Sequence, residues 1–241
     1  MTYESISELI IQLNRLNVDQ TDYRYIVSLL RKAMKGIRVT VASNSTELYF
    51  RARVCNDVKP LTVDELKAPP AELVKGFQRC NPPGIPMFYS ASKRISALLE
   101  CNVKKGDKVY LGQWVSREPA PVNTIMSSDI NRYLNPTMTV RESSFYTYVD
   151  TIFTRPIHKT FSNVYKITSA VTEVLTTGYK RNKEHYIGED CTVGILYPSV
   201  ANIEDSYNCA FHASFADSRF ILLHVMELLV KSREGKKYSL K

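Results

Sequence analysis

The 241-residue chain contains neither G-x-G-x-x-G nor G-x-x-x-x-G-K-[ST]. Both familiar glycine-rich phosphate cradles are therefore excluded. It has no C-x-x-C pair, and its five cysteines, Cys55, Cys80, Cys101, Cys191 and Cys209, are odd in number. They read as reduced thiols of a cytosolic protein rather than a disulfide framework. The four histidines, His158, His185, His212 and His224, are scattered, without H-E-x-x-H or zinc-knuckle spacing. No metal site is expected from them. The opening stretch, MTYESISELI, carries an early glutamate and no basic region, unlike a secretory leader. No run approaches the ~20 apolar residues that a membrane helix needs. The best candidate, FILLHVMELLV, is interrupted by a histidine and a glutamate. The expected setting is the cytoplasm, with no membrane partner.

What is present fits a globular chain with a sizeable core: 44% hydrophobic and 23% charged residues. The formal net charge of +8 favours anionic partners such as nucleotides, phosphates, nucleic acids or an acidic protein. Part of that charge sits in KSREGKKYSLK, read as a basic, solvated C-terminal tail over 231–241.

Residues 1–45 form a helical N-terminal segment. Ile6, Leu9, Ile10, Leu13 and Leu16 recur at helical spacing, as do Tyr25, Ile26, Leu29, Leu30 and Met34. Both helices are expected to pack on the main domain, 46–230. There, TELYFRARV reads as a strand, the proline-broken 59–77 segment as loop and short helix, and DKVYLGQWVS as a strand. EPAPVNTIMSSDINRYLNP reads as an irregular insertion. Two helical stretches follow, SFYTYVDTIFTRP and SNVYKITSAVTEVLTT, and then a strand-rich C-terminal third. Strands and helices do not alternate regularly, so an α+β fold is expected rather than a doubly wound sheet.

One stretch carries the most chemical information: QRCNPPGIPMFYSASKRISALLE, residues 78–100. Pro82, Pro83 and Pro86 stiffen a loop, and Gly84 permits a turn within it. Arg79 stands at the mouth of that loop, with a planar donor fork suited to pyrophosphate or carboxylate. Tyr89 ends an apolar strand and offers a ring for stacking and a hydroxyl for a polar atom. A helix capped by Ser90 or Ser92 then carries Glu100 beside the small residues Ser96 and Ala97. Arg51 and Arg53 share one face of their strand, where two like charges suit an anion or solvent better than a core. Ser199, at the exit of the buried strand CTVGILYPS, is placed to hydrogen-bond a ligand.

Taken in order, YFRAR, RCNPPGIPMFYSASKRISALLE, YKITSAVTEVL and GILYPSVANIEDSYNCAF resemble the RES domain family, named for its Arg, Glu and Ser. The likeness covers about residues 47 to 215. It matches the family pattern at Arg51, at the R-x-N-x-x-G-x-P-x-x-Y segment from Arg79 to Tyr89, at Glu100 and at Ser199. Cys80 stands where phenylalanine or leucine is common, and Ser96 replaces a threonine.

The resemblance implies a mixed, twisted β-sheet core like that of ADP-ribosyltransferase toxins, with NAD as substrate rather than cofactor. RES proteins are bacterial toxins that deplete NAD, some by phosphorolysis to ADP-ribose-1″-phosphate and nicotinamide, and they pair with an antitoxin protein. Carried onto this chain, Glu100, Arg51 and Ser199 are the expected catalytic set, and Arg79, Tyr89, Asn81 and Arg53 the expected NAD- and phosphate-binding set. Two other readings use the same features. One is transfer of ADP-ribose to a protein. The other is a non-catalytic basic module that binds nucleic acid or protein, supported only by net charge and lacking any nucleic-acid-binding signature.

Overall fold

A computed structural model of the protein describes residues 5–38, 41–42, 47–126, 133, 136–176, 192–202 and 206–241. Cys191 and His185 lie outside them, as do 127–132, 134 and 135 of the expected insertion. Helix α1 (Ile6–Arg15) begins with a reciprocal cap. The Ser5 hydroxyl accepts from the Glu8 N–H at 3.2 Å, and the Glu8 carboxylate accepts from the Ser5 N–H at 2.7 Å. Helix α2 (Tyr23–Ala33) starts at Asp22, whose carboxylate accepts from the Arg24 and Tyr25 N–H groups. The apolar stripes of both helices enter one core with α4 (Val140–Thr154) and α5 (Tyr165–Leu175). Leu9, Leu13, Ile26 and Leu30 are buried there beside Met87, Ile195 and Ala210 of the sheet. Each such side chain contributes roughly 1.5–3 kcal/mol. The N-terminal helices thus form a layer on the sheet, as their stripes predict.

The strands are β1 (Val41–Ala42), β2 (Leu48–Val54), β3 (Met87–Ala91), β4 (Lys108–Ser116), β5 (Val122–Thr124), β6 (Gly194–Pro198), β7 (Tyr207–His212), β8 (Phe220–Glu234) and β9 (Lys237–Leu240). They form one sheet in the order β1-β5-β6-β7-β3-β2-β4-β8-β9. Only β5 and β6 pair in parallel; the other neighbours are antiparallel. The fold is α+β with a mixed sheet. Among the described residues no helix is long and apolar enough to cross a membrane.

Period-two alternation divides the sheet's contacts between its faces. Tyr49, Phe88, Trp114, Phe211 and Phe220 form an aromatic cluster on one face, joined by Phe215 of α6 (Ala213–Arg219). The opposite face carries two clusters. One is the four-helix layer over β6, β7 and β3. The other is built by Phe50, Ala52 and Leu111 with Ala97 and Leu98 of α3 (Arg94–Glu100). Between these two clusters β2 and β3 pair only at Phe50 and Ala91, so the sheet opens along a seam.

Three local expectations are corrected. The stretch read as an irregular insertion contributes β5, which is three residues long and too short to leave a periodic signal. The C-terminal tail is a hairpin: β8 runs on to Glu234, Gly235 turns at φ +58°, and β9 returns along it. Its residues are mostly exposed, which is why composition alone suggests a loose end. Neither Ser90 nor Ser92 caps α3. Ser90 lies within β3, the Ser92 hydroxyl accepts from the Tyr207 N–H at 3.2 Å, and the helix begins after Lys93 without a side-chain cap.

A buried carboxylate ties the helical layer to the Arg38 segment. Glu142 accepts from Arg38 Nε at 2.8 Å and Nη2 at 3.0 Å, and from the Thr139 N–H at 2.8 Å. The Arg38 bonds hold its carboxyl well below the usual carboxylate range, against the opposing effect of burial. A depressed carboxyl stabilises the fold above its unfolded value and loses that contribution as pH falls toward its folded value. Stability of the native protein is expected to fall as pH drops below about 4.5. Glu142→Gln should flatten that dependence and cost roughly 1–3 kcal/mol at neutral pH, measurable by urea unfolding across pH. Packing at the sheet centre gives a second expectation. A Cβ on Gly194 would lie 2.3 Å from the Ala210 carbonyl oxygen of the neighbouring strand. Gly194→Ala should lower the urea midpoint by the equivalent of about 1–3 kcal/mol or more.

Candidate functional site

The seam opens into a cleft of about 440 Å³, within the range of small-ligand sites. Its floor follows from strand register. Tyr197 faces Asn208, Asn208 faces Ala91 and Ala91 faces Phe50, one row across four strands. One wall is the end of α3, with Ala97, Glu100 and Cys101. The residues from Phe77 to Arg79, with Ser162 in the 3-10 turn before α5 and Tyr165 at the start of α5, supply further walls.

Glu100 is the last residue of α3. Its Oε1 accepts from Ser199 Oγ at 2.6 Å, Asn208 Nδ2 at 2.8 Å and, more weakly, the Ala201 N–H at 3.4 Å. No described residue bonds Oε2. One oxygen is anchored while the other has no partner among the described residues, so the carboxylate is oriented without being neutralised by a cation.

Arg51 alternates with Phe50 and Ala52, yet its guanidinium reaches into the seam. Nη1 donates to the Tyr89 carbonyl at 2.9 Å and Nε to the Leu66 carbonyl at 3.3 Å, and Cζ lies 5.4 Å from the Phe88 ring centre. Burial pushes its pKa down. Arg79 donates to the Phe153 and Arg155 carbonyls and lies over the Tyr165 ring at 5.1 Å. Carbonyls and rings orient a guanidinium but leave its charge uncompensated. Among the described residues neither arginine pairs with a carboxylate. Two such cations in one cleft have the chemistry to hold an anion.

Of the residues singled out in the sequence, Glu100, Arg51, Arg79 and Tyr89 line the cleft together. The other three do not. Ser199 is fully buried behind Glu100; its hydroxyl donates to the carboxylate and accepts from the Asn202 N–H at 3.1 Å. It holds the Glu100 carboxylate in place. Asn81 is also fully buried, and its Oδ1 accepts from the Tyr89 hydroxyl at 2.5 Å. Arg53 points with Arg51 away from the Phe50 side, donates to the Glu65 carbonyl and lines a second cavity with Asp64 and Lys67, one that Arg51 also borders. Tyr89 meets the cleft by one part of its side chain. Its ring lines the cleft, but its hydroxyl is engaged by Asn81 and by the Cys80 N–H at 2.9 Å. Burial pushes that hydroxyl's pKa far up, so it remains a neutral donor to Asn81.

Sequence reasoning did not select Asn208, Phe77 or Tyr165 for the site. Asn208 is a buried polar residue in the otherwise apolar NCAF run, and that isolation was the available signal. Tyr165 had only its place at the head of YKITSAVTEVL, and Phe77 had none, because the aromatics are many and the cleft exists only after folding. No family model matches this chain, and no curated protein does either.

Tyr89→Phe keeps the cleft ring but strands Asn81 and the Cys80 N–H. It should cost about 1–3 kcal/mol in urea unfolding while leaving ligand affinity at the cleft within about twofold.

Proposed function

We propose that this cleft binds NAD and breaks its nicotinamide–ribose bond, passing the ADP-ribosyl group to inorganic phosphate. The observation that carries this reading is the juxtaposition of an oriented, unneutralised Glu100 carboxylate with Arg51 and Arg79, two cations lacking carboxylate partners. The resemblance to RES proteins supports the same assignment.

The chemistry follows from charge. As the C1″–N bond breaks, its electron pair moves onto the pyridinium nitrogen, and nicotinamide leaves as a neutral molecule. No general acid is required. Positive charge develops on the ribose, as in glycoside hydrolysis. The fixed Glu100 carboxylate stabilises that charge, with Ser199 and Asn208 keeping it in place. A phosphate oxygen then forms the new bond to C1″, giving ADP-ribose-1″-phosphate. Arg51 and Arg79 hold the pyrophosphate or the incoming phosphate, and Tyr89 presents its ring. Such a protein acts in the cytoplasm as a toxin that depletes NAD, held in check by a cognate antitoxin protein.

The test is purified protein with NAD, with and without inorganic phosphate, with products identified by mass spectrometry. Phosphate-dependent ADP-ribose-1″-phosphate is the expected product. Free ADP-ribose in both samples would mean hydrolysis, and a labelled protein would mean transfer. Glu100→Gln keeps the side-chain shape and should slow NAD loss by about 10²–10³-fold or more without lowering thermal stability. Near-normal turnover by that variant would refute the assignment.

A further inference from the structure

The NAD reading leaves open which end of the dinucleotide lies where, and the charges around the cleft decide it. Two of its lining aromatics, Phe77 and Tyr165, are only partly buried. Each carries a cation on its ring. Arg79 Cζ lies 5.1 Å from the centre of Tyr165, and Lys166 Nζ lies 5.7 Å from the centre of Phe77. The Lys166 ammonium donates to the Val18 and Thr21 carbonyls at 2.6 and 3.1 Å, which orient it without cancelling its charge. Tyr23 of α2 braces Phe77, with ring centres 5.2 Å apart.

Aromatic faces with uncompensated cations beside them suit a neutral ring attached to an anion. They oppose a positively charged ring. In NAD the pyridinium is cationic, whereas the adenine is neutral and joined through its ribose to the diphosphate. The Glu100 carboxylate, in contrast, favours the cationic end. We infer that Phe77 and Tyr165 form a purine subsite, with the diphosphate beside Arg79 and the nicotinamide riboside directed toward Glu100. The inference rests on the NAD reading for its ligand. It adds that the N-terminal helical layer, through Tyr23 and the carbonyls that hold Lys166, builds the part of the cleft that distinguishes a dinucleotide from a mononucleotide.

Equilibrium binding of ADP and of nicotinamide mononucleotide tests this without catalysis. Phe77→Ala and Tyr165→Ala should each weaken ADP by about 5- to 150-fold, as loss of a stacking partner does, and leave nicotinamide mononucleotide unchanged. Unchanged mononucleotide affinity also reports an intact fold. Tyr165→Phe and Phe77→Tyr keep the rings and should retain ADP affinity. Wild-type protein that fails to bind ADP, alanine variants with unaltered ADP affinity, or equal losses for both ligands would each overturn the subsite. A wild-type protein that binds ADP at this wall but leaves NAD intact would support the subsite and overturn the cleavage reading.

Discussion

β2 and β3 pair at Phe50 and Ala91 and then part. This single incomplete strand pairing is the constraint on which the site depends. On its other edge β2 pairs with β4 along Leu48–Val54, and β3 pairs with β7 along Met87–Ala91. Both strands are therefore held rigidly by their outer neighbours while the gap between them stays open. An opening in a sheet exposes backbone polar groups that must find partners. Arg51 meets part of that demand by donating to the Tyr89 carbonyl across the seam. The residue that closes the seam electrostatically is also the one that brings positive charge into the cleft.

The charges around the cleft are arranged at a cost to stability. Arg51 and Arg79 are satisfied as hydrogen-bond donors by carbonyls, and as charges by nothing among the described residues. The Arg38–Glu142 pair offers the contrast. There a buried carboxylate meets a guanidinium in two-pronged geometry, a pairing that serves the fold. Compensated charge sits where the helical layer is anchored, and uncompensated charge sits in the cleft. The same division applies to Glu100, which has one oxygen bound to its own protein and one left open.

Much of the fold was legible. The helical spacing of α1 and α2 and the β-branched and aromatic runs of β2, β4 and β6 are local patterns, and backbone geometry reads them directly. The missed elements carried weak local signal. β5 spans three residues, and the C-terminal hairpin is exposed on most of its positions. Legibility of the site was uneven for a related reason. Arg79, Tyr89 and Glu100 are close in sequence on loop, strand and helix, so their convergence could be anticipated. Asn81 lies among them in sequence, yet the loop turns it inward to clamp Tyr89.

The sequence by itself determined the longer, strongly patterned elements and their order, the α+β class and the short list of polar residues able to meet at one place. Only the tertiary structure decided what each of those residues does. Ser199 and Asn208 reach Glu100 from 99 and 108 positions away, and Lys166 is held by carbonyls 148 and 145 positions away. Arg53, on the same strand face as Arg51, lines only the neighbouring cavity, and register brought Asn208 to the cleft floor. Periodicity acts over a few residues, whereas a side chain's partners are set by which distant segments the sheet order brings together.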